Sequence, residues 1–115
     1  MNEFLDYVEN ILDAMDKAEL LLEGVAQDQF ETDFRINFAV IRALEIIGEA
    51  TKRLPEDVRH RYPDLPWRGM AGMRDRIIHG HDVVDLQIVW DVVKKDIPRI
   101  RPQFEQILRD YSPQE

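Results

Sequence analysis

The segment from about residue 30 to residue 54 constrains the fold more than any other part of the sequence. Wound into a helix, its apolar side chains leave only a narrow polar strip. They are Phe30, Phe34, Ile36, Phe38, Ala39, Val40, Ile41, Leu44, Ile46, Ile47 and Ala50. Asp28 and Glu31 have the spacing of a capping box at the start of such a helix. Because a helix that is apolar almost all round must be covered by other helices, the sequence predicts the central helix of a bundle.

Three further long helices and one short helix are predicted around this central one. Apolar residues recur every three or four positions in residues 2–23, 67–79 and 83–111, while Pro55 opens a short helix within residues 55–66. Pro98 and Pro102 are expected to kink the last helix without ending it. The alternation typical of strands is missing from the sequence. The predicted fold class is all-α, an up-down bundle of about four long helices plus one short helix, with residues 1–111 as one domain and 112–115 as a tail.

Composition limits the classes of function. The 115 residues include no cysteine, which excludes a disulfide framework, a thiolate nucleophile and a cysteine-based zinc site. The acidic, amphipathic N-terminus differs from a secretory signal, and no apolar run reaches the roughly 18 residues of a membrane span, so we expect a cytoplasmic protein with no membrane partner. The formal net charge of −8 repels nucleic acid. Any nucleic-acid site must therefore be local.

Basic residues do cluster in one part of the chain. The cluster comprises Arg68, Arg74, Arg76, His79 and His81, with Arg59, His60 and Arg61 shortly before it. On the helix predicted over residues 67–79, Arg74 falls within the apolar face, where a guanidinium needs a carboxylate or a ligand anion. Asp75 lies four residues before His79, so its carboxylate could orient the imidazole. Arg74 and His79 point about 140° apart on an ideal helix, so sharing one substrate requires arginine's reach, a distorted helix end or a second copy of the chain.

A structural role for the same residues is the alternative. Glu45 and Glu49 lie one turn apart on the predicted central helix, and we expect one of them to form an ion pair with a neighbouring arginine such as Arg74. A metal site is disfavoured, because His79 and His81 are two residues apart and no other histidine or cysteine lies nearby. The residues alone leave the structural and functional interpretations open.

Four segments carry a resemblance to a known family. They are IIGEA at 46–50, PW at 66–67, MRDRIIH at 73–79 and VVDLQIVWDVV at 83–93. In this helical order the chain resembles the HEPN superfamily, and specifically the HepT-like toxins. The resemblance implies a metal-independent ribonuclease toxin of a type VII toxin–antitoxin system, whose partner is a minimal nucleotidyltransferase (MNT) antitoxin. It also implies a homodimer in which two Arg-x4-His motifs face each other across one cleft, and it implies no cofactor.

The resemblance assigns roles to residues that match the motif. Arg74 and His79 become the catalytic pair, and Asp75 fills the polar position after the arginine. HepT-like sequences carry, two positions after the histidine, a tyrosine that the antitoxin modifies with AMP, and here that position is His81. The tyrosine that accepts AMP in the family is therefore missing at this position, which leaves open whether AMPylation regulates this chain. We expect His81, with Arg76 and Glu49, to support the site or bind phosphate.

A non-enzymatic binding module is the competing prediction. In that case the bundle docks a nucleotidyltransferase or binds a nucleotide, and Arg74 with His79 only hold a phosphate or the dimer. The acidic net charge favours this alternative slightly. Cleavage of RNA distinguishes the ribonuclease from the binding module, because a binding module leaves RNA intact.

Overall fold

The protein is all-α, as predicted. The structure, a computed structural model, describes residues 3–79 and 83–111, except for the side chain of His79. The helices are α1 Phe4–Leu22, α2 Gln27–Thr32, α3 Phe34–Lys52, α4 Glu56–Arg61, α5 Trp67–Ala71, α6 Met73–Ile77, α7 Leu86–Asp91 and α8 Ile97–Tyr111, and a π-helical turn at Val92–Asp96 joins the last two. Two strands of two residues each, β1 Ile78–His79 and β2 Val83–Val84, were not predicted.

The core forms where α1 packs along α3, the central helix. Residues spaced by three and four on both helices are fully buried, as their apolar pattern predicts. They include Val8, Ile11, Met15, Ala18 and Leu22 of α1, and Val40, Leu44 and Ile47 of α3. Helix α8 covers the other side of α1, where Arg101 forms ion pairs with Asp16 and Glu19. None of the described helices combines the length and apolar character needed to cross a membrane.

The central helix begins later than predicted. Asp33 has an extended backbone, and its carboxylate accepts a hydrogen bond of 3.0 Å from the Arg35 N–H, so it caps α3 and separates it from α2. The predicted capping box of Asp28 and Glu31 is therefore wrong, because both residues lie inside the short helix α2. The buried Asn37 amide donates to the Phe30 carbonyl at 3.1 Å and fastens α2 to α3. A local carboxylate cap thus divides the apolar segment into two helices.

The apolar circumference of α3 is only partly covered within the chain. Phe34 and Phe38 remain 65% and 69% exposed, with ring centroids 5.8 Å apart. Leu20 of α1 is also 69% exposed. The sequence predicted an enclosed helix, whereas the described part of the chain leaves this end of α3 open to solvent.

The C-terminal segment keeps its apolar stripe across two prolines. The stripe predicted from Leu86 to Tyr111 is buried at Val93, Ile97, Ile100, Phe104 and Ile107. Its members Leu86, Trp90 and Tyr111 are only half-buried, and Val89 is the buried residue of α7. The helix begins at Leu86, because the Asp85 carboxylate caps it by accepting from the Ile88 N–H at 3.1 Å. Asp82, three residues before Asp85, also has the residue type of an N-cap, and it lies outside the described residues. The π-helical turn ends immediately before Ile97 and Pro98, where the missing proline N–H interrupts regular α-helical bonding.

A hydrogen bond ties the end of α8 to the loop after α4. The Tyr62 hydroxyl donates to the Asp110 carboxylate at 2.6 Å, and the Gln106 amide donates to the same carboxylate, also at 2.6 Å. These donors hold the pKa of Asp110 below its usual value. Burial and the bond to Asp110 raise the pKa of Tyr62.

Tyr62→Phe should lower the free energy of unfolding at pH 7. The folded pKa of Tyr62 is raised, so this contribution is complete below the unfolded tyrosine pKa of about 10 and is lost as pH rises above it. The folded pKa of Asp110 is lowered, so its part is present above about 3.9 and lost at more acidic pH. Urea unfolding of wild type and Tyr62→Phe at pH 3, 7 and 10.5 should give the largest difference at pH 7. Tyr111→Phe is the control, and a pH-independent difference would contradict the prediction.

Candidate active site

The segment carrying the Arg-x4-His motif is broken into three pieces. The single helix predicted over residues 67–79 is wrong, because α5 ends before Gly72, α6 ends at Ile77 and the chain then becomes extended. Strand β1 pairs antiparallel with β2, with His79 opposite Val83 and Ile78 opposite Val84. β-branched residues favour this extended pairing. His79 therefore follows α6 on a strand and does not occupy a helix end.

The break changes the predicted surroundings of Arg74 and Asp75. Met70, Met73 and Ile77 form the buried face, while Arg74 and Asp75 are exposed. Arg74 therefore does not lie in the apolar face that an unbroken helix predicted. The predicted helical spacing between Asp75 and His79 is also wrong, because α6 ends two residues before the histidine.

Arg74 faces the central helix across a cavity of about 160 Å³. The cavity is lined by Arg42, Glu45, Glu49 and Lys52 of α3, and by Ala71 and Arg74. Each carboxylate has its ion pair within α3, since Glu45 lies 4.0 Å from Arg42 and Glu49 lies 3.8 Å from Lys52. Within the described residues, the Arg74 side chain forms no ion pair or hydrogen bond. The structure therefore brings Glu49 and Arg74 to one cavity without the expected ion pair between them.

Gly48 allows α5 and α6 to approach α3 so closely. A Cβ at this position would lie 3.2 Å from the Met70 carbonyl oxygen and 3.2 Å from the Met73 Cβ. Both contacts are with atoms that cannot rotate away. Because Gly48 has no side chain, the turn before Arg74 can lie close to α3, which carries Glu45 and Glu49.

Gly48→Val should destabilise the fold by about 1–3 kcal/mol, the usual cost of overpacking. It should also reduce the activity of the site, because the added methyl groups push the turn before Arg74 away from α3. Gly69→Ala is the matched control, since a Cβ there meets only an Arg76 nitrogen at 4.0 Å. Urea unfolding checks both variants. Equal stability of Gly48→Val and wild type would show that the close approach is not needed.

The remaining predicted site residues divide into three groups. Arg76 lies 3.5 Å from Asp96, so it ties α6 to the π-helical turn while remaining 42% exposed. Asp75 is exposed beside Arg74 in the sequence. His81 lies outside the described residues, as does the side chain of His79. In residues 3–79 and 83–111, no three His, Asp or Glu side chains lie close enough together to hold a metal ion.

The fold and this site define a class of small helical protein. In this class an exposed arginine lies beside two short helices, α5 and α6, that pack closely against the central helix at a glycine. A sequence model of the Ribonuclease HepT-like family matches residues 11–107, which span α3 and the whole Arg-x4-His segment. The chain belongs to the HepT-like ribonuclease family.

Named relatives agree with this assignment. A Thermococcus cleftensis protein named "Probable ribonuclease HepT" is 44% identical over 89% of this chain and 93% of its own length. "Putative RNase MJ1216" of Methanocaldococcus jannaschii is 39% identical over 90% of this chain and 86% of its own. A protein of Caldanaerobacter subterraneus with an RNase name of the same form is 39% identical, covering 90% and 92%. No solved structure gives a significant match.

Proposed function

We propose that this chain is a metal-independent endoribonuclease whose catalytic residues are Arg74 and His79. The observation that carries the proposal is the exposed Arg74 guanidinium, which has no ion pair with a described residue and lines a cavity against α3. Membership of the HepT-like ribonuclease family and the ribonuclease names of its relatives support RNA as the substrate.

Arg74 is assigned to the phosphate. A guanidinium is planar and permanently charged, and two of its N–H groups can hold two phosphate oxygens together. An arginine already neutralised by a carboxylate would have to break that pair first, whereas Arg74 has none among the described residues. The same N–H groups stabilise the charge that builds on the phosphate oxygens in the transition state.

His79 is assigned to proton transfer, because imidazole gains and loses a proton near neutral pH. The RNA 2′-hydroxyl loses its proton to a base and attacks the neighbouring phosphorus. The new O2′–P bond forms as the P–O5′ bond breaks, and the departing 5′-oxygen takes a proton from an acid. The products are a 2′,3′-cyclic phosphate and a 5′-hydroxyl. Balance requires one base and one acid, and no metal ion.

A homodimer supplies both groups in this proposal. Two copies would bring two Arg-x4-His motifs to one cleft, so that one His79 acts as base and the other as acid. Glu49, Asp75, Arg76 and His81 would support the cleft, with Glu49 adjoining Arg74 at its cavity. The biological role that the family resemblance favours is a cytoplasmic toxin of a HEPN/MNT system with a nucleotidyltransferase antitoxin.

A docking module is the second candidate, and one observation favours it. Leu20, Phe34 and Phe38 expose large apolar side chains, and Leu20 lines a mainly apolar cavity of about 430 Å³ between α1 and α3. Exposed apolar patches of this kind mark protein-interaction surfaces. Such a surface could bind an antitoxin or a second copy whether or not the chain cleaves RNA.

The deciding experiment incubates the purified protein with tRNA and messenger RNA in EDTA and analyses the product ends. Cleavage that leaves cyclic phosphates is the expected result. Intact RNA at stoichiometric protein, with the chain shown to be folded and dimeric, would overturn the ribonuclease proposal and favour the docking module. Cleavage that depends on added Mg²⁺ would overturn the metal-independent mechanism.

A further inference from the structure

A second and larger cavity adjoins the one at Arg74. Its volume is about 580 Å³, within the range of small-molecule sites, and it lies between α4 and α5. Ala71 lines both cavities, so a chain-like ligand could pass from one to the other. Three basic side chains, Arg59, His60 and Arg68, face the larger cavity against one acid, Glu56.

Three of the four arginines that line these cavities differ from the other arginines in the described part of the chain, whereas the fourth, Arg42, is paired with Glu45. Eight arginines have side-chain partners, either ion pairs and hydrogen bonds or the faces of tyrosine rings. They are Arg35, Arg42, Arg53, Arg61, Arg76, Arg99, Arg101 and Arg109. For the side chains of Arg59, Arg68 and Arg74, no such partner is found among the described residues, and all three line the two adjoining cavities.

Arg59 provides a second indication of a missing ligand. Its Nε is buried and finds no hydrogen-bond acceptor among the described residues. Buried N–H groups normally have acceptors, so an unpaired one marks a place where an additional group can bind. In a chain of net charge −8, carboxylates are abundant, yet none pairs with Arg59 or Arg68 in the described part. An anion from outside the chain is the fitting partner.

The remaining wall of the cavity is apolar and rigid. It consists of Pro63, Trp67 and Ala71. The Trp67 indole is fixed, since its N–H donates to the Tyr62 carbonyl at 2.8 Å and its ring meets Phe104 edge-on with centroids 5.6 Å apart. A cavity lined by both cationic side chains and an aromatic ring suits a nucleotide, whose phosphate binds the guanidinium while its base packs on the ring.

We propose that this second cavity binds a nucleotide of the RNA substrate next to the scissile phosphate, with Arg68 and Arg59 on its phosphate and Trp67 against its base. This inference rests on the ribonuclease function proposed above and specifies how that site holds its substrate. The shared wall at Ala71 favours an RNA strand that crosses both cavities over a free mononucleotide.

The test compares how two single-stranded RNAs, a dinucleotide and a decamer, are cleaved by wild type and Arg68→Gln. Arg68 is exposed, so its replacement should leave the fold intact. The dinucleotide carries only the scissile phosphate and so has no second phosphate for Arg68 to bind, whereas the decamer has one. Arg68→Gln should therefore lower the ratio of kcat/KM for decamer over dinucleotide roughly tenfold, the effect of one charge-assisted hydrogen bond. Arg35→Gln makes the same charge change at the other end of α3 and should leave the ratio unchanged.

Binding supplies a second readout that does not need turnover. Anisotropy of the labelled decamer on His79→Ala protein should show a salt slope reduced by about 0.7 when Arg68→Gln is added, because one phosphate contact with a single strand is lost. An unchanged slope and ratio overturn the inference. Equal losses in Arg35→Gln also overturn it, since they show only a general charge effect.

The outcomes separate this inference from the function on which it rests. Wild type that cleaves neither RNA defeats the proposed function, whatever Arg68 does to binding. If wild type cleaves both RNAs and Arg68→Gln does not change the preference for the decamer, only the proposed role of the second cavity is overturned. Adenosine monophosphate is then tested as a competitor of the labelled decamer. If it competes as strongly as unlabelled decamer does, the cavity is a mononucleotide site, and the proposal that an RNA strand crosses both cavities is overturned.

Discussion

His79→Ala should lower the rate constant of RNA cleavage by about 100- to 10,000-fold, the usual contribution of a positioned general acid or base. In a symmetric dimer both copies lose the imidazole, so neither the 2′-hydroxyl nor the departing 5′-oxygen has its proton-transfer partner. RNA binding should change little, because the phosphate contact is assigned to Arg74. Single-turnover cleavage of an end-labelled RNA in EDTA measures the chemical step directly.

Arg74→Ala is the companion variant, with an expected loss of about 100- to 1,000-fold and weaker RNA binding. Arg74→Lys should recover only part of this, because an ammonium group cannot hold two phosphate oxygens as a planar guanidinium does. The double variant should lose far less than the product of the two single losses, because residues that act together in one step are not additive.

Arg35→Ala is the control for these variants, since Arg35 is exposed and its partner is Asp33 at the start of α3, away from the Arg74 cavity. Equal thermal unfolding of all proteins would show that the losses are not due to misfolding. Cleavage by His79→Ala within tenfold of wild type would remove His79 from the mechanism.

Phe104→Ala should have the largest effect on stability, about 3–5 kcal/mol. Phe104 is fully buried in α8, and its ring contacts the Trp67 indole edge-on. Its removal leaves a cavity that the surrounding helices cannot fully close. Because small domains are stable by only about 5–15 kcal/mol, the variant should be close to unfolding at physiological temperature.

The effect should extend from the core to the proposed RNA path. Trp67 begins α5 and lines the second cavity, so loss of its support at Phe104 should also weaken RNA binding. Urea unfolding measures the first effect, and anisotropy at low temperature, where the variant is folded, measures the second. Phe38→Ala is the control, because Phe38 is exposed and should change stability by only about 0.5 kcal/mol. Equal stability losses in the two variants would contradict the central place of Phe104.

Much of the helical architecture follows from the sequence. The predicted first helix, residues 2–23, corresponds to α1 at Phe4–Leu22, and the stripe predicted over 83–111 is buried from Val93 to Ile107. These predictions succeed because apolar residues repeating every three or four positions can be buried together only on a helix. The Arg-x4-His motif at Arg74 and His79 is also visible in the sequence alone, because residue types and spacing are local properties of the chain, and its catalytic role stays a prediction.

The errors occur where local spacing competes with a contact to a distant residue. Residues 67–79 have a helical pattern, yet the chain breaks at Gly72 and extends at Ile78 to pair with Val84. Similarly, the carboxylate of Asp33 ends one helix and caps the next within a run of apolar residues. The spacing of apolar residues predicts which side chains can be buried together. It does not predict which hydrogen bonds the backbone can form with distant residues.

The sequence by itself determined the all-α class, the first and last long helices and the local basic cluster in an acidic chain. Only the tertiary structure decided which arginines have partners. Arg76 is drawn to Asp96, whereas Arg59, Arg68 and Arg74 line adjoining cavities with no partner among the described residues. Gly48 lets α5 and α6 approach α3, so the cavity at Arg74 depends on residues more than 20 positions apart. Such partnerships depend on how helices pack, because an ion pair forms between residues that the fold brings within about 4 Å.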